Sequence, residues 1–236
     1  LEDIDDLELL IVPLGGGGLL SGTALAIKHQ RPNVKIIGVQ ASICAPFIHD
    51  TFPRGQILTL ADGIAIKRPG SITKPIIDKW VDDIIEVDED SIADAIVLLM
   101  EHSKMLVEGG GAVGLSALLT KQLAPASTGT TCIVLSGGNI DIGMISTLAR
   151  RHETQEGRRL FIAVKLTDRP GELAIFLRTV GDAGANVVEV QHIREGIGIR
   201  PWETVIQLIL DVRSPEHARE LLDYISSAGF NARELT

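Results

Sequence analysis

Four stretches of this 236-residue chain carry residues whose types and spacing could do chemistry. Val12-Pro13-Leu14 runs into Gly15-Gly16-Gly17-Gly18 and then into Leu19-Leu20-Ser21. The others are Ala61-Asp62-Gly63-Ile64-Ala65, Glu108-Gly109-Gly110-Gly111-Ala112 and Ser136-Gly137-Gly138-Asn139. Consecutive glycines add unfolded-state entropy and contribute no packing. They belong where a backbone must come close to a ligand and point its N–H groups at it. Between a strand and a helix that ligand is usually an anion, because unpaired N–H groups and the helix dipole converge there. The run does not satisfy G-x-G-x-x-G, and Gly22 is followed by Thr23 rather than by the lysine of a P-loop. With no cation in the loop, backbone alone would hold the anion. That suits a small phosphate monoester that stays bound better than a terminal phosphate in transfer.

The elements that position these stretches follow from periodicity and breakers. A buried strand precedes the glycine run, and a helix over 19–30 follows it, ended by Arg31-Pro32. A short buried strand over 34–39 completes a β-loop-α-β unit, which implies parallel strands and a ligand beyond their carboxyl ends. Residues 41–72 are irregular, with Pro46, Pro53 and Pro69, and 61–65 reads as a turn. A helix over 73–81 and a strand over 84–87 come next. Asp88 is the expected N-cap of a helix over 89–107, with Ile92, Ile96, Leu99 and Leu106 on its core face. The second glycine cluster opens a helix over 113–123. A strand over 130–135 then ends in Ser136, and a helix runs over 140–152. In a doubly wound sheet, glycine turns at element ends can gather around one crevice.

The texture changes at the polar segment 153–158, the expected boundary between domains over 1–152 and 159–236. Strands over 160–166, 186–193, 203–212 and 231–235 alternate with helices over 172–184 and 215–228, the latter capped by Ser214. The order βαββαβ is the ferredoxin-like pattern, an α+β sheet with two helices on one face.

Composition bounds the partners. A net charge of −9 and 3% aromatic residues disfavour nucleic acid. There is no signal peptide and no apolar run long enough for a bilayer, so the expectation is a cytoplasmic protein without a membrane partner. Cys44 and Cys132 lack metal spacing and read as buried, reduced thiols. The histidines form no cluster and read as surface or packing residues. The chain starts at Leu1 within Glu2-Asp3-Ile4-Asp5-Asp6, which reads as a solvated run in a piece of something longer.

The four glycine-bearing stretches, with Val113-Gly114 and Ile140-Asp141 extending two of them, occur in the order and at the distances of a known family. Together they resemble the C-terminal part of threonine ammonia-lyase (threonine dehydratase), a pyridoxal-phosphate enzyme of the tryptophan-synthase-β-like fold type II. Residues 159–236 resemble an ACT domain, an amino-acid-sensing module. The resemblance implies that Gly15, Gly16, Gly17, Gly18 and Leu19 hold the cofactor phosphate. It implies that Ser136, followed by Gly137, meets the pyridine nitrogen, that Glu108 lies near the same ring edge, and that Gly63 approaches through its backbone. Without the resemblance, Ser136 could be a routine N-cap and Glu108 an acceptor for a neighbouring turn.

The implied reaction is loss of water from threonine or serine, giving a 2-oxo acid and ammonia. The family's Schiff-base lysine lies upstream of anything here. None of Lys28, Lys35, Lys67, Lys74, Lys79, Lys104, Lys121 and Lys165 stands in such a setting. The expectation is therefore an inactive fragment with apolar surface left open to self-association, drawn from a homo-oligomeric enzyme. Some relatives hold a divalent cation after the second strand; the segment 39–46 here has no carboxylate, so no metal is expected. The ACT resemblance points to Asp168, Gly171 and Asn186 as effector-binding residues, although Asp168-Arg169-Pro170-Gly171 is also an ordinary turn. Two other readings stand beside the enzyme: a stand-alone amino-acid-binding regulatory module, and a nucleotide binder that the glycine spacings disfavour.

Overall fold

In the computed structural model, which describes residues 1–49, 55 and 57–235, the apolar run Leu7–Pro13 forms the first strand, β1. Pro53 lies outside the described residues. Every residue of β1 but Glu8 is buried, as expected of a strand covered on both faces. It is flanked by β2 (Lys35–Ala41) and β4 (Thr130–Ile133), and β3 (Asp83–Val87) lies outside β2. All three pairings are parallel, in the order β3-β2-β1-β4. The order reverses between β1 and β4, so the crevice of a doubly wound sheet falls at their carboxyl ends. The glycine run follows β1, and Ser136 follows β4 by three residues. The helices of this unit are α1 (Gly18–Gln30), α2 (Thr73–Trp80), α3 (Glu89–Leu98) and α4 (Gly109–Leu119).

Three expectations about these elements are corrected. The helix expected over 89–107 leaves α-geometry after Leu98, passes through a π turn at Leu99–Ser103 and stops at Lys104, which has φ +56°. Ile92, Ile96 and Leu99 are buried as expected, but Leu106 lies beyond the helix and is exposed. Ending early frees the chain to cross to the sheet, where Glu108 N–H donates to the Gly137 carbonyl at 3.3 Å. The helix expected from 113 begins at Gly109, so the second glycine cluster is its first turn rather than a loop before it. Cys132 is only half-buried, because β4 is an edge strand, whereas Cys44 is buried. Burial raises the Cys44 thiol pKa, partly opposed by Lys67, and its Sγ lies 2.6 Å from the Ile66 carbonyl.

The chain divides into two compact units, Leu1–Ile145 and Ser146–Thr236. The division falls inside α5 (Ile142–Gln155), so the first half of the expected linker is helical. Arg158 closes that helix end, pairing with Glu153 at 2.9 Å while its N–H donates to the Glu153 carbonyl.

The second unit comprises β5 (Arg159–Thr167), α6 (Glu172–Asp182), β6 (Asn186–Ile193), β7 (Glu203–Asp211), α7 (Pro215–Ser227) and β8 (Ala232–Glu234). The order β6-β7-β5-β8 with antiparallel neighbours is ferredoxin-like. Strict alternation sends Leu160, Ile162, Val164 and Leu166 to one face, where Phe176 and Val180 of α6 and Leu221 and Ile225 of α7 complete the core. Ser214 caps α7 by accepting from the His217 N–H. The nearly buried His217 ring joins the two helices, accepting from Arg213 N–H at Nδ1 and reaching the Ala183 carbonyl through Nε2 at 2.9 Å.

Glu8 sits at the register shift between β1 and β4. Its carboxylate accepts from the Thr128 hydroxyl (2.7 Å) and the Gly129 N–H (2.8 Å), holding the turn that leads into β4. The Thr128 bond chiefly, then the Gly129 N–H, lowers its pKa below the ordinary value of 4.5. A lowered folded value means that the stabilisation is complete above the unfolded pKa and is lost as pH falls through the folded one. The stability difference between wild type and Glu8→Gln, measured by urea denaturation, is therefore expected at neutral pH and to vanish as the pH falls below the carboxylate range.

Candidate functional site

The glycine run is a bend whose two sides differ. Gly17 is the N-cap residue of α1, with φ +90°, a conformation that L side chains rarely adopt. A Cβ there would stand 2.7 Å from Ile77 Cδ1 and from Thr73 Oγ1, and one at Gly15 would stand 3.1 Å from the Ile64 Cα. These two glycines face the protein. At Gly16 and Gly18 a Cβ would meet nothing within 4 Å among the described residues, and both, with Leu19, are exposed. The open side is therefore the one where the first N–H groups of a 13-residue helix emerge without intrahelical partners. No acidic residue lies in that first turn to compete for them. The arrangement fits a phosphate monoester held by backbone.

Two side chains hold the cradle in place, and sequence reasoning missed both. Gln40, at the end of β2 and fully buried, donates to the Leu14 carbonyl (3.2 Å) and accepts from the Phe47 N–H (3.1 Å). Thr73, the first residue of α2, donates to the Gly16 carbonyl at 2.6 Å. A fully buried glutamine among apolar neighbours must satisfy its amide. A polar residue within the otherwise apolar strand Ile36-Ile37-Gly38-Val39-Gln40 was the available signal. Thr73 carried none.

The other glycine stretches meet around Glu108, just before α4. A Cβ on Gly63 would lie 2.8 Å from Glu108 Oε1, and one on Gly137, at φ +85°, would collide with the same carboxylate. Glu108 Oε2 accepts from the Asn139 N–H at 3.1 Å. Ile64 joins this cluster to the cradle, because its side chain lies against both Gly15 and Gly110. The structure thus brings the four stretches into one crevice. The plain role of Glu108 as acceptor for a neighbouring turn is present, and it coexists with the carboxylate's central position.

Backbone packs on backbone behind this cluster. A Cβ at Gly109 would strike the Leu60 carbonyl, and one at Gly111 the Ser136 carbonyl. Glu89 fixes the far side of the 59–63 segment, accepting from the Thr59 hydroxyl and from the Leu60 N–H at 2.7 Å. Ser136 is half-buried after β4, and its hydroxyl has no hydrogen-bond partner among the described residues. It is not an N-cap: α5 starts six residues later.

In the second unit, Asp168 and Gly171 line a cavity of about 310 Å³ together with Glu172, His192 and Arg194. Asp168 lies 3.4 Å from Arg194, and Gly171 caps α6 at φ +94°. Asn186 does not join them. It pairs with Asp211, which pairs with Arg159, whereas Thr167 beside Asp168 pairs with Glu203. Asn186 therefore stands at the opposite end of the sheet, about 25 Å away at the usual rise per strand residue. The short distance in sequence from α6 to β6 hides this, because the helix returns the chain to the far end.

A parallel sheet with a backbone anion cradle and a serine turn flanking its switch point defines a class of α/β protein built to hold a phosphorylated cofactor. The chain belongs to the family of pyridoxal-phosphate dependent enzymes, whose model matches residues 1–137. It is 41% identical over 236 residues to an L-threonine ammonia-lyase of Geobacter sulfurreducens, covering 98% of this chain and 58% of that protein. It is 39% identical to an L-threonine ammonia-lyase of Thermotoga maritima, covering 99% of this chain and 59% of the relative. The chain thus spans a little under three-fifths of the length of these relatives. Among solved structures, maize serine racemase aligns with a TM-score of 0.56 at 31% identity, over 65% of this chain and 49% of that one. A T.th. threonine deaminase aligns with a TM-score of 0.53 at 32% identity, over 57% and 49%.

Because Gly17 is both left-handed and enclosed, Gly17→Ala is expected to lower stability by about 1–2 kcal/mol from backbone conformation alone. Urea denaturation measures that loss, and pyridoxal-phosphate fluorescence should show weaker uptake by the variant. Gly18→Ala, which meets only open space, should leave stability nearly unchanged while weakening uptake.

Proposed function

We propose that this chain supplies the C-terminal portion, residues 1–152, of a pyridoxal-phosphate enzyme that deaminates L-threonine, and L-serine, to 2-oxobutyrate or pyruvate and ammonia. Residues 153–158 connect it to an ACT-type unit over 159–236 that senses an amino acid. The observation that carries the reading is the meeting of the cradle, Gly63, Glu108 and Ser136 at one switch point. The 41% identity to a threonine ammonia-lyase supports it.

When bound, pyridoxal phosphate supplies an electron sink for an attached amino acid. Gly15, Gly16, Gly17, Gly18 and Leu19 would hold its phosphate through N–H groups. Ser136 would offer its uncommitted hydroxyl to the pyridine nitrogen. A neutral hydroxyl does not hold that nitrogen protonated as a carboxylate does, which suits expulsion of a β-hydroxyl. Gly63 and Gly137 leave room for the Glu108 carboxylate, which would stand at the ring edge.

Several of the lysines present are engaged elsewhere. Lys28 pairs with Asp82, Lys74 with Asp78, and Lys165 donates to the Gly198 carbonyl. We therefore expect no turnover from this chain alone. A chimera joining it to the part of the Thermotoga maritima relative that it does not span should release 2-oxobutyrate from threonine, read by absorbance. Ser136→Ala in that chimera should lower kcat by about ten- to a hundredfold, the worth of a hydrogen bond to a charged or charge-developing group. Turnover by the unjoined chain, or an unaffected Ser136→Ala, would sink this reading.

For the second unit, the βαββαβ topology and the mixed charges of the Asp168 cavity support recognition of a zwitterion. Since Asn186 lies at the other sheet end, it can reach that ligand only from a second copy, consistent with a homo-oligomer. Equilibrium dialysis with threonine and branched-chain amino acids should show binding that Asp168→Asn weakens by about tenfold or more.

A further inference from the structure

The face of the second sheet that α6 and α7 leave uncovered carries a cavity of about 520 Å³, separate from the Asp168 cavity. Register sets its floor in two rows. Arg233 stands opposite Ala163 and Ala163 opposite Gln207, while Lys165 stands opposite Val205 and Val205 opposite Ile193. Their neighbours Ile162, Val164, Ile206 and Leu208 point the other way, into the core. The loop between β6 and β7 makes the wall, with Ile199 inside and Ile197 fully exposed at the rim. Lys165 fastens that loop by donating to the Gly198 carbonyl at 3.0 Å.

The chemistry of the lining is one-sided. Ala163, Ile193, Ile199 and Val205 form an aliphatic surface, and the polar groups are Lys165, Arg233 and the amides Gln207 and Asn231. No carboxylate lines it among the described residues. The Arg233 guanidinium has no ion-pair partner among the described residues, and its planar fork matches a carboxylate with two parallel bonds. The Asp168 cavity differs in kind, since Asp168 and Glu172 there accompany Arg169 and Arg194. An amino acid needs an acceptor for its ammonium as well as donors for its carboxylate. In the uncovered-face cavity the ammonium would meet two cations and no acid. The volume lies within the ordinary range for small-molecule sites.

We propose that this cavity is a second ligand site of the C-terminal unit, selective for a small branched aliphatic carboxylate that lacks an α-ammonium group. A 2-oxo acid and a simple carboxylate share that chemistry. Apolar walls take the branched body, Arg233 and Lys165 take the carboxylate, and Gln207 or Asn231 can donate to a 2-oxo oxygen. The proposal rests on this cavity and does not depend on the enzymatic reading.

Amide NMR of the full chain, followed at Gly198 and Arg233, tests it with three ligands of one carbon skeleton: 4-methyl-2-oxopentanoate, 4-methylpentanoate and L-leucine. Saturable shifts with at least one of the first two are expected, with leucine weaker at these amides by about tenfold or more. Tighter binding of the oxo compound would assign the site to 2-oxo acids, and equal binding to aliphatic carboxylates at large; both support the proposal. Arg233→Gln should weaken binding by about tenfold without moving Tm; Lys165→Met, which also releases the loop from its Gly198 bond, should weaken it by at least as much, while Asp168→Asn should leave these shifts unchanged. No saturable binding of either carboxylate, leucine binding as tightly, or binding indifferent to both cation variants would overturn it.

Discussion

The first turn of α4 is wedged between two other stretches of backbone, and the crevice depends on that contact. Gly109 lies against the Leu60 carbonyl and Gly111 against the Ser136 carbonyl, with no space for a methyl group at either. Only hydrogen lets three backbones approach so closely. The contact sets the distance between the turn bearing Gly63 and the turn bearing Ser136, and Glu108 at the head of the helix occupies the gap. Glycine's cost to helix stability, near 1 kcal/mol per residue in a helix interior, is offset here by burial of the whole first turn. The Ser116 and Ser91 hydroxyls, bonded at 2.8 Å, tie α4 to α3 deeper in the unit.

Much of this was readable in residue types. The strand-glycine-helix unit at 7–30 follows from an apolar run, a glycine run and Arg31-Pro32, and the parallel pairing from its length. The βαββαβ order of the second unit follows from regular alternation and clear caps such as Ser214. The readings that failed share a cause: local pattern was overruled by a distant contact. Leu106 has helical spacing, yet the chain must leave the helix at Lys104 for Glu108 to reach Gly137. Gly109 to Gly111 look like a loop, yet they are a helix turn because their neighbours need the space. Asn186 lies close to Gly184 and the end of α6 in sequence, which says nothing about which end of the sheet it occupies. Thr73 and Glu89 act on atoms of other elements and leave almost no trace in their own surroundings, whereas Gln40 shows only as a polar residue in an apolar strand.

The two units treat charge in contrasting ways. The glycine run itself carries no charged side chain, and no acidic residue lies in the first turn of α1, so the loop presents backbone N–H groups alone. The cavities of the second unit are lined by charged side chains instead. One carries both signs, and the other carries cations beside an aliphatic wall. Alternation along β5 serves both core and surface, since inward residues build the core while outward ones remain available to the uncovered-face cavity.

The buried amide of Gln40 has a kinetic consequence. It holds the carbonyl just before the glycine run with one end and the Phe47 N–H with the other. Neither bond can break alone without leaving a buried polar group unsatisfied. Loosening of the 45–47 segment and loosening of the cradle are therefore a single opening event rather than two. The exchange rate of the Phe47 amide hydrogen becomes a measure of how often the cradle opens, readable at a position that does not itself belong to the crevice.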